Sequence, residues 1–286
     1  MKNQKNIGIL LVIGAGFCFS LMTFFVRLSG NLPTMQKAFF RNAVAMVVAF
    51  VMIMKKRQGF EIKKGCGFSL FMRCACGTAG LICNFYAIDH INIADANMLN
   101  KLSPFFAIIM SYFILAEKAD RFEWGAVVIA FTGALFIVKP SFHMGFVNAM
   151  IGVLGGLGAG VAYTFVRKMG MKGQKGTVIV FCFAAFSCLV TAPYLVFYYH
   201  PMSLWQLTCL MLAGTAATGG QFCITAAYTK APAKEISVFD YTQVIFAALL
   251  GILFLHEIPD AYSIIGYIII IATAIAKWNY ARKKTT

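Results

Sequence analysis

The chain has 286 residues, 60% of them hydrophobic and 12% charged, and a mean hydropathy of +0.77. An ordinary soluble domain carries about 25% charged residues, so a soluble enzyme, a disordered chain and a secreted disulfide scaffold are all excluded. The net charge of +15 would fit a nucleic-acid binder in a soluble protein, but here the placement of the charges decides what they do.

Apolar runs of membrane length follow one another along the chain. The first, near 7–27, comes after Lys2 and Lys5. It is longer than a signal-peptide core and no clear cleavage site follows it, so it is read as a retained helix. Runs near 36–54, 67–87, 95–115 and 123–139 complete one set; runs near 147–167, 177–199, 204–228, 236–256 and 262–278 form a second. At about 20 residues per crossing, ten helices consume about 200 residues and leave short loops. The expected fold is therefore an all-α integral membrane bundle of ten helices. The nine cysteines lie in or at the ends of these runs without metal-ligand spacing, and read as small apolar packing residues.

Most of the 25 Lys and Arg fall in one set of loops, from Lys55-Lys56-Arg57 and Lys63-Lys64 to Lys172 and Lys175 and the C-terminal Arg282-Lys283-Lys284. The other side holds Arg27, Lys37 and Lys139 at helix ends, while Arg41, Arg73 and Lys101 lie inside helices. This positive-inside bias predicts that both termini are cytoplasmic. It also accounts for the basic pI, through attraction to anionic lipid rather than to nucleic acid.

A repeat runs through the chain at a fixed offset of 140 residues. Phe25-Val26-Arg27 with Gly30 recurs as Phe165-Val166-Arg167 with Gly170. Leu115, Glu117 and Asp120 recur as Leu255, Glu257 and Asp260, and Phe106-Ala107 as Phe246-Ala247. Each unit holds five helices, an odd number, so the second enters the membrane from the opposite side. The expected division is 1–140 for the first five-helix repeat and 141–286 for the inverted second. Inverted repeats closing on a central site from either face are the geometry of alternating access.

Helix four reads Ala94-Asp95-Ala96-Asn97-Met98-Leu99-Asn100-Lys101-Leu102-Ser103-Pro104-Phe105-Phe106 and ends at Leu115-Ala116-Glu117. Helix nine reads Phe239-Asp240-Tyr241-Thr242-Gln243 and ends at Leu255-His256-Glu257, with Arg41 and Arg73 near the starts of helices two and three. With these segments the whole chain resembles an EamA-type member of the drug/metabolite transporter superfamily. The resemblance implies ten helices, a 5+5 inverted repeat and export or exchange of small metabolites, with Glu117 and Glu257 at structural or gating positions. Ala116 stands where the family usually has Gly, a change expected to be functionally silent.

The residues that could carry chemistry are the polar ones at membrane depth, where an ionisable group is a functional candidate by default. Lys101 lies roughly 10 Å into helix four at 1.5 Å per residue. Pro104 lacks an N–H, which frees the Asn100 carbonyl beside it. Asp240 is the repeat counterpart of Asn100. On depth alone it is placed roughly 10–15 Å from Lys101 along the membrane normal, so separate roles near the two mouths are expected instead of an ion pair. Arg41 could hold a carboxylate bidentately or snorkel outward, whereas snorkelling is the expectation for Arg73. Asn84, Tyr86, Tyr163, Gln221 and Tyr228 are further candidates to line a cavity, with Ser20, Thr23, Thr164 and Thr225. Gly152, Gly156 and Gly160 form a stripe for close helix approach. The four His map to outer loops or helix ends.

No nucleophile elbow, HExxH, P-loop or paired carboxylate motif occurs, so no enzyme, cofactor or metal site is expected. The reading is a secondary transporter of the bacterial cytoplasmic membrane. Its substrate would be a small polar or amphipathic metabolite, an amino acid being the first candidate. Nucleotide-sugar-type carriers and a channel-like or signalling membrane protein are the rivals. The partners expected are the small-molecule substrate and membrane lipid, with a homodimer compatible with the sequence.

Overall fold

The computed structural model describes residues 2–57, 59–115, 120–138, 144–230 and 237–283. Helices account for nearly all of them, and among the described residues there is no strand. In chain order they are α1 (Lys2–Leu28), α2 (Thr34–Lys55), α3 (Gly67–His90), α4 (Ile93–Asn100), α5 (Ser103–Ile114), α6 (Arg121–Val138), α7 (Met144–Met171), α8 (Gly176–Tyr198) and α9 (Leu204–Lys230). A 3₁₀ turn (Ser237–Tyr241) leads into α10 (Thr242–Leu250), a π-turn (Gly251–Leu255) and α11 (Ala261–Lys283).

Seven of these helices are long and apolar enough to cross a bilayer, and Trp124–Ile137 and Phe239–Leu255 are shorter apolar helices. Their outward faces carry large apolar side chains: Phe68, Leu189, Val196, Phe197 and Leu253 are all well exposed. A soluble monomer rarely shows so extensive an apolar surface; in a bilayer it is the lipid contact.

The helices pair across the molecule. α1 packs on α9, α3 on α7, α2 on α8, and α6 on α11, with α5 against α7 and α10 against α1. Glycine sets the closest approaches. A Cβ on Gly158 would lie 2.7 Å from Gly80 Cα, so α3 and α7 touch backbone to backbone. The Gly156 and Gly160 faces meet the Leu99 and Ser103 carbonyls, each 2.7 Å from a built Cβ, so the α7 stripe is a packing seam against the α4–α5 junction.

The fourth apolar run is not one helix. α4 stops at Asn100, Lys101 and Leu102 form a turn, and α5 restarts with Pro104 in its first turn. Proline fits there because its missing N–H is an orphan donor at any helix start. Non-helical backbone at membrane depth is tolerated only where protein or a cavity supplies partners. Here the Tyr241 hydroxyl donates to the Lys101 carbonyl at 3.0 Å.

Candidate functional site

At the centre, α1, α2, α3, α7, α8, α9, α10 and the α4–α5 turn line a partly open cavity of about 80 Å³. Arg41, Asn84, Asn100, Lys101, Tyr163 and Gln221, all named as candidates from the sequence, line it, and so do Arg73 and Gln243. Its apolar wall comes from Phe19, Met22, Leu81 and Phe183.

Arg41 and Arg73 are each only 2% exposed, so neither snorkels to a headgroup layer. Arg73 was expected to; it stays inside because its guanidinium folds along its own helix into the notch left by Gly77. A Cβ at that position would collide with Nη1. Both guanidiniums face one ring, with Cζ 4.1 Å (Arg73) and 5.8 Å (Arg41) from the Phe183 centroid. Arg41 Nη1 donates to Asn42 Oδ1, while Nε of both arginines is buried and unpartnered. Among the described residues no carboxylate pairs with either.

Lys101 and Asp240 correct the depth argument. Lys101 Nζ lies 2.8 Å from Asp240 Oδ1, with side chains 5% and 1% exposed. They meet because neither parent helix is a straight rod. The α4 helix breaks at Lys101 and the ninth segment enters as a 3₁₀ turn, so counting 1.5 Å per residue from opposite faces misplaces both. Tyr228 stacks on Tyr163 with centroids 5.1 Å apart and planes at 6°, one layer behind the cavity wall.

Around this pair runs a polar seam. Ser20 donates to the Gln243 carbonyl at 2.8 Å, Gln243 Nε2 to Asn97 Oδ1, and Asn97 Nδ2 to the Ile93 carbonyl at 2.7 Å. Thr23 and Thr164 bond backbone carbonyls of their own helices, Ser20 and Gly160. Gln221 Nε2 reaches Thr225 Oγ1 at 3.5 Å.

Tyr86 is not part of this cavity. It lines a second, larger space of about 620 Å³ at the other end of α3, with Arg27, Asp89, His90 and His200. There its ring stacks on His90 and its hydroxyl donates to Asn148 Oδ1 at 3.3 Å. Beside it Lys37, read from sequence as a helix-end charge, is fully buried and pairs with Asp89 at 2.6 Å. Glu257 ties four elements together: Oε1 accepts from Arg27 Nε at 2.9 Å, Oε2 from the Ile93 N–H at 2.8 Å, and Arg27 Nη1 reaches the Ile88 carbonyl. Glu117, its repeat counterpart, lies outside the described residues, as does His143.

Sequence reasoning missed Arg73, Gln243 and Lys37. The i, i+4 spacing of Arg73 and Gly77, and the 140-residue offset from Ser103 to Gln243, were the signals available for the first two.

The EamA-like transporter family matches residues 6–139 and again 148–276. The pseudopaline exporter CntI of Pseudomonas aeruginosa is 32% identical over 272 residues, covering 94% of this chain and 95% of its own. The human solute carrier family 35 member G1 is 25% identical over 302 residues, covering 97% and 81%. A solved crystal structure superposes with a TM-score of 0.72 at 13% identity, over 98% of this chain and 99% of its own, which establishes the likeness of fold. The chain thus belongs to the EamA-like transporter family of the drug/metabolite transporter superfamily, and is a multi-pass transporter of the cell membrane.

Proposed function

We propose that this protein is a secondary transporter that exports or exchanges a small metabolite bearing an anionic group. It works by alternating access of two five-helix halves, 1–140 and 141–286, across the bacterial cytoplasmic membrane. The observation that carries the substrate reading is the pair of buried guanidiniums, Arg41 and Arg73, lining a cavity without a carboxylate of their own among the described residues. A charge at membrane depth costs about 2.5–3.5 kcal/mol on insertion scales. A substrate anion offsets that cost only while it is bound, which suits a site that must load and unload.

Several observations support the mechanism. Under a shift of 140 residues the α1–α9 and α3–α7 contacts exchange, while α2–α8 and α6–α11 map onto themselves. The family match itself divides between 139 and 148. The α4–α5 pair and the ninth segment then supply the remaining crossings, giving ten with both termini cytoplasmic. Export is the direction named for the Pseudomonas relative. A nucleotide-sugar cargo is disfavoured, because the central cavity is far below the about 300–1,000 Å³ of pockets that hold drug-sized ligands.

The test is thermal stabilisation of purified protein by a panel of amino acids, hydroxy acids and dicarboxylates, followed by counterflow in proteoliposomes. Stabilisation by carboxylates, lost in Arg73→Gln and Arg41→Gln, supports the reading. Stabilisation confined to amines, or a flux that does not saturate, overturns it.

A further inference from the structure

The third unpartnered buried group on the cavity wall is on the same helix as Arg73. Asn84 is 6% exposed, its Oδ1 has no hydrogen-bond partner, and it lines the cavity with Arg73, Gly77 and Gly80. A buried amide oxygen left without a donor costs about 1–3 kcal/mol, so the site holds an unmet acceptor as well as unmet cationic donors. Their spacing is set by α3. The Arg73 guanidinium sits at the level of Gly77. Gly77 and Asn84 are seven residues apart, so they share a face and differ in height by roughly 10 Å. A hydrogen bond of about 2.9 Å at each end leaves roughly 4–5 Å between the two poles of a ligand that bridges them. Between the two poles Leu81, Phe19 and Met22 make the cavity wall apolar, while Gly77 gives room to the Arg73 guanidinium and Gly80 lets α7 pack against α3.

We infer that the substrate is bipolar: a carboxylate held by Arg41 and Arg73, and an amine or hydroxyl donated to Asn84 from three or four carbons further along an apolar spacer. This rests on the anionic-substrate reading above and adds the second pole and its distance. In an α-amino acid the ammonium and carboxylate flank a single carbon. That is too close to bridge the two sites, so any such substrate must place its second donor on the side chain.

The experiment uses the full-length purified transporter and titrates thermal stabilisation with glycine, β-alanine, γ-aminobutyrate and aminocaproate, with butyrate and butylamine as single-pole controls. Affinity should peak at γ-aminobutyrate, roughly 10- to 150-fold tighter than butyrate, the worth of one hydrogen bond from a charged ammonium. Asn84→Leu should erase that advantage, bringing γ-aminobutyrate down to the affinity of butyrate on the same variant, whereas Arg73→Gln should weaken both acids. Equal affinity of the unaltered protein for butyrate and γ-aminobutyrate overturns the second pole while leaving the anion site standing. Binding of butylamine without butyrate overturns the anionic reading itself. The ligand ladder on the parent protein needs no variant to fold.

Discussion

The Tyr241 hydroxyl donates to the Lys101 carbonyl at 3.0 Å, and the two residues are 140 positions apart, the offset of the repeat. In the proposed arrangement of two inverted halves, each occupies the same place in its own half. Symmetry-related residues touch only near a twofold axis, so on that proposal this bond and the adjacent Lys101–Asp240 ion pair lie where the halves meet.

That placement predicts strong coupling between Lys101 and Asp240. Removing one partner of a buried pair leaves an uncompensated charge and costs about 3–5 kcal/mol, whereas replacing both by apolar residues is often neutral. Asp240→Asn and Lys101→Met should each lower the unfolding midpoint sharply. Lys101→Met with Asp240→Leu should recover most of the loss in a double-mutant thermal unfolding cycle. Additive single effects would mean the two charges do not interact.

Gly77 and Gly158 should respond differently to one added methyl group. At Gly158 the new Cβ meets the Gly80 backbone, which cannot yield, so overpacking of about 1–3 kcal/mol outweighs the about 1 kcal/mol gained in helix propensity. At Gly77 it meets the movable end of Arg73. Gly77→Ala should keep the parent's melting temperature and weaken carboxylate binding roughly tenfold or more, the worth of one charge-assisted hydrogen bond. Melting curves and ligand titrations on the two variants separate the cases.

Glu257 holds α1, the end of α3, the start of α4 and the end of the ninth segment in one cluster at the face opposite the basic loops. Its pair with Arg27 is partly exposed, at 14% and 27%, which limits its strength to about 1 kcal/mol. Glu257→Gln should shift the opening equilibrium of that face about fivefold. The readout is the rate at which an impermeant thiol reagent labels Asn100→Cys from outside, on a background without other cysteines. An unchanged rate would make the cluster a fastening with no bearing on access.

The charge bias makes a separate prediction about orientation. Phe60 lies in the Lys-rich segment between α2 and α3 and is exposed. Phe60→Cys on the same background should be protected from the impermeant reagent in intact cells and labelled after the membrane is opened. Labelling in intact cells would invert the topology.

Periodicity and the fixed offset made the helices legible, because long apolar runs and duplicated residues are one-dimensional signals. The Gly152, Gly156, Gly160 stripe read correctly as packing for the same reason. Arg73 was misread because snorkelling depends on whether a long side chain has somewhere else to go, and the notch at Gly77 is visible only in three dimensions. The Lys101–Asp240 pair was misjudged because depth was counted along unbroken helices. Tyr86 was assigned to the central cavity on polarity alone, which says nothing about level along α3. The burial of Lys37 depends on Asp89, a residue on a different helix, and a single sequence carries no sign of that pairing.

The Gly251–Leu255 turn has one further effect. It is wound with the Glu257 N–H on the Gly251 carbonyl, at 3.1 Å, whereas Leu115, the repeat counterpart of Leu255, bonds the Ser111 carbonyl as ordinary α-helix does. In the proposed alternating-access cycle, two halves coiled identically would make the inward-open and outward-open forms equivalent by the twofold rotation and equal in free energy. A wider turn in only one half removes that equivalence, so the unloaded transporter rests on a preferred side. That preference gives the two faces different apparent affinities for the cargo and leaves the direction of net flow to the gradients.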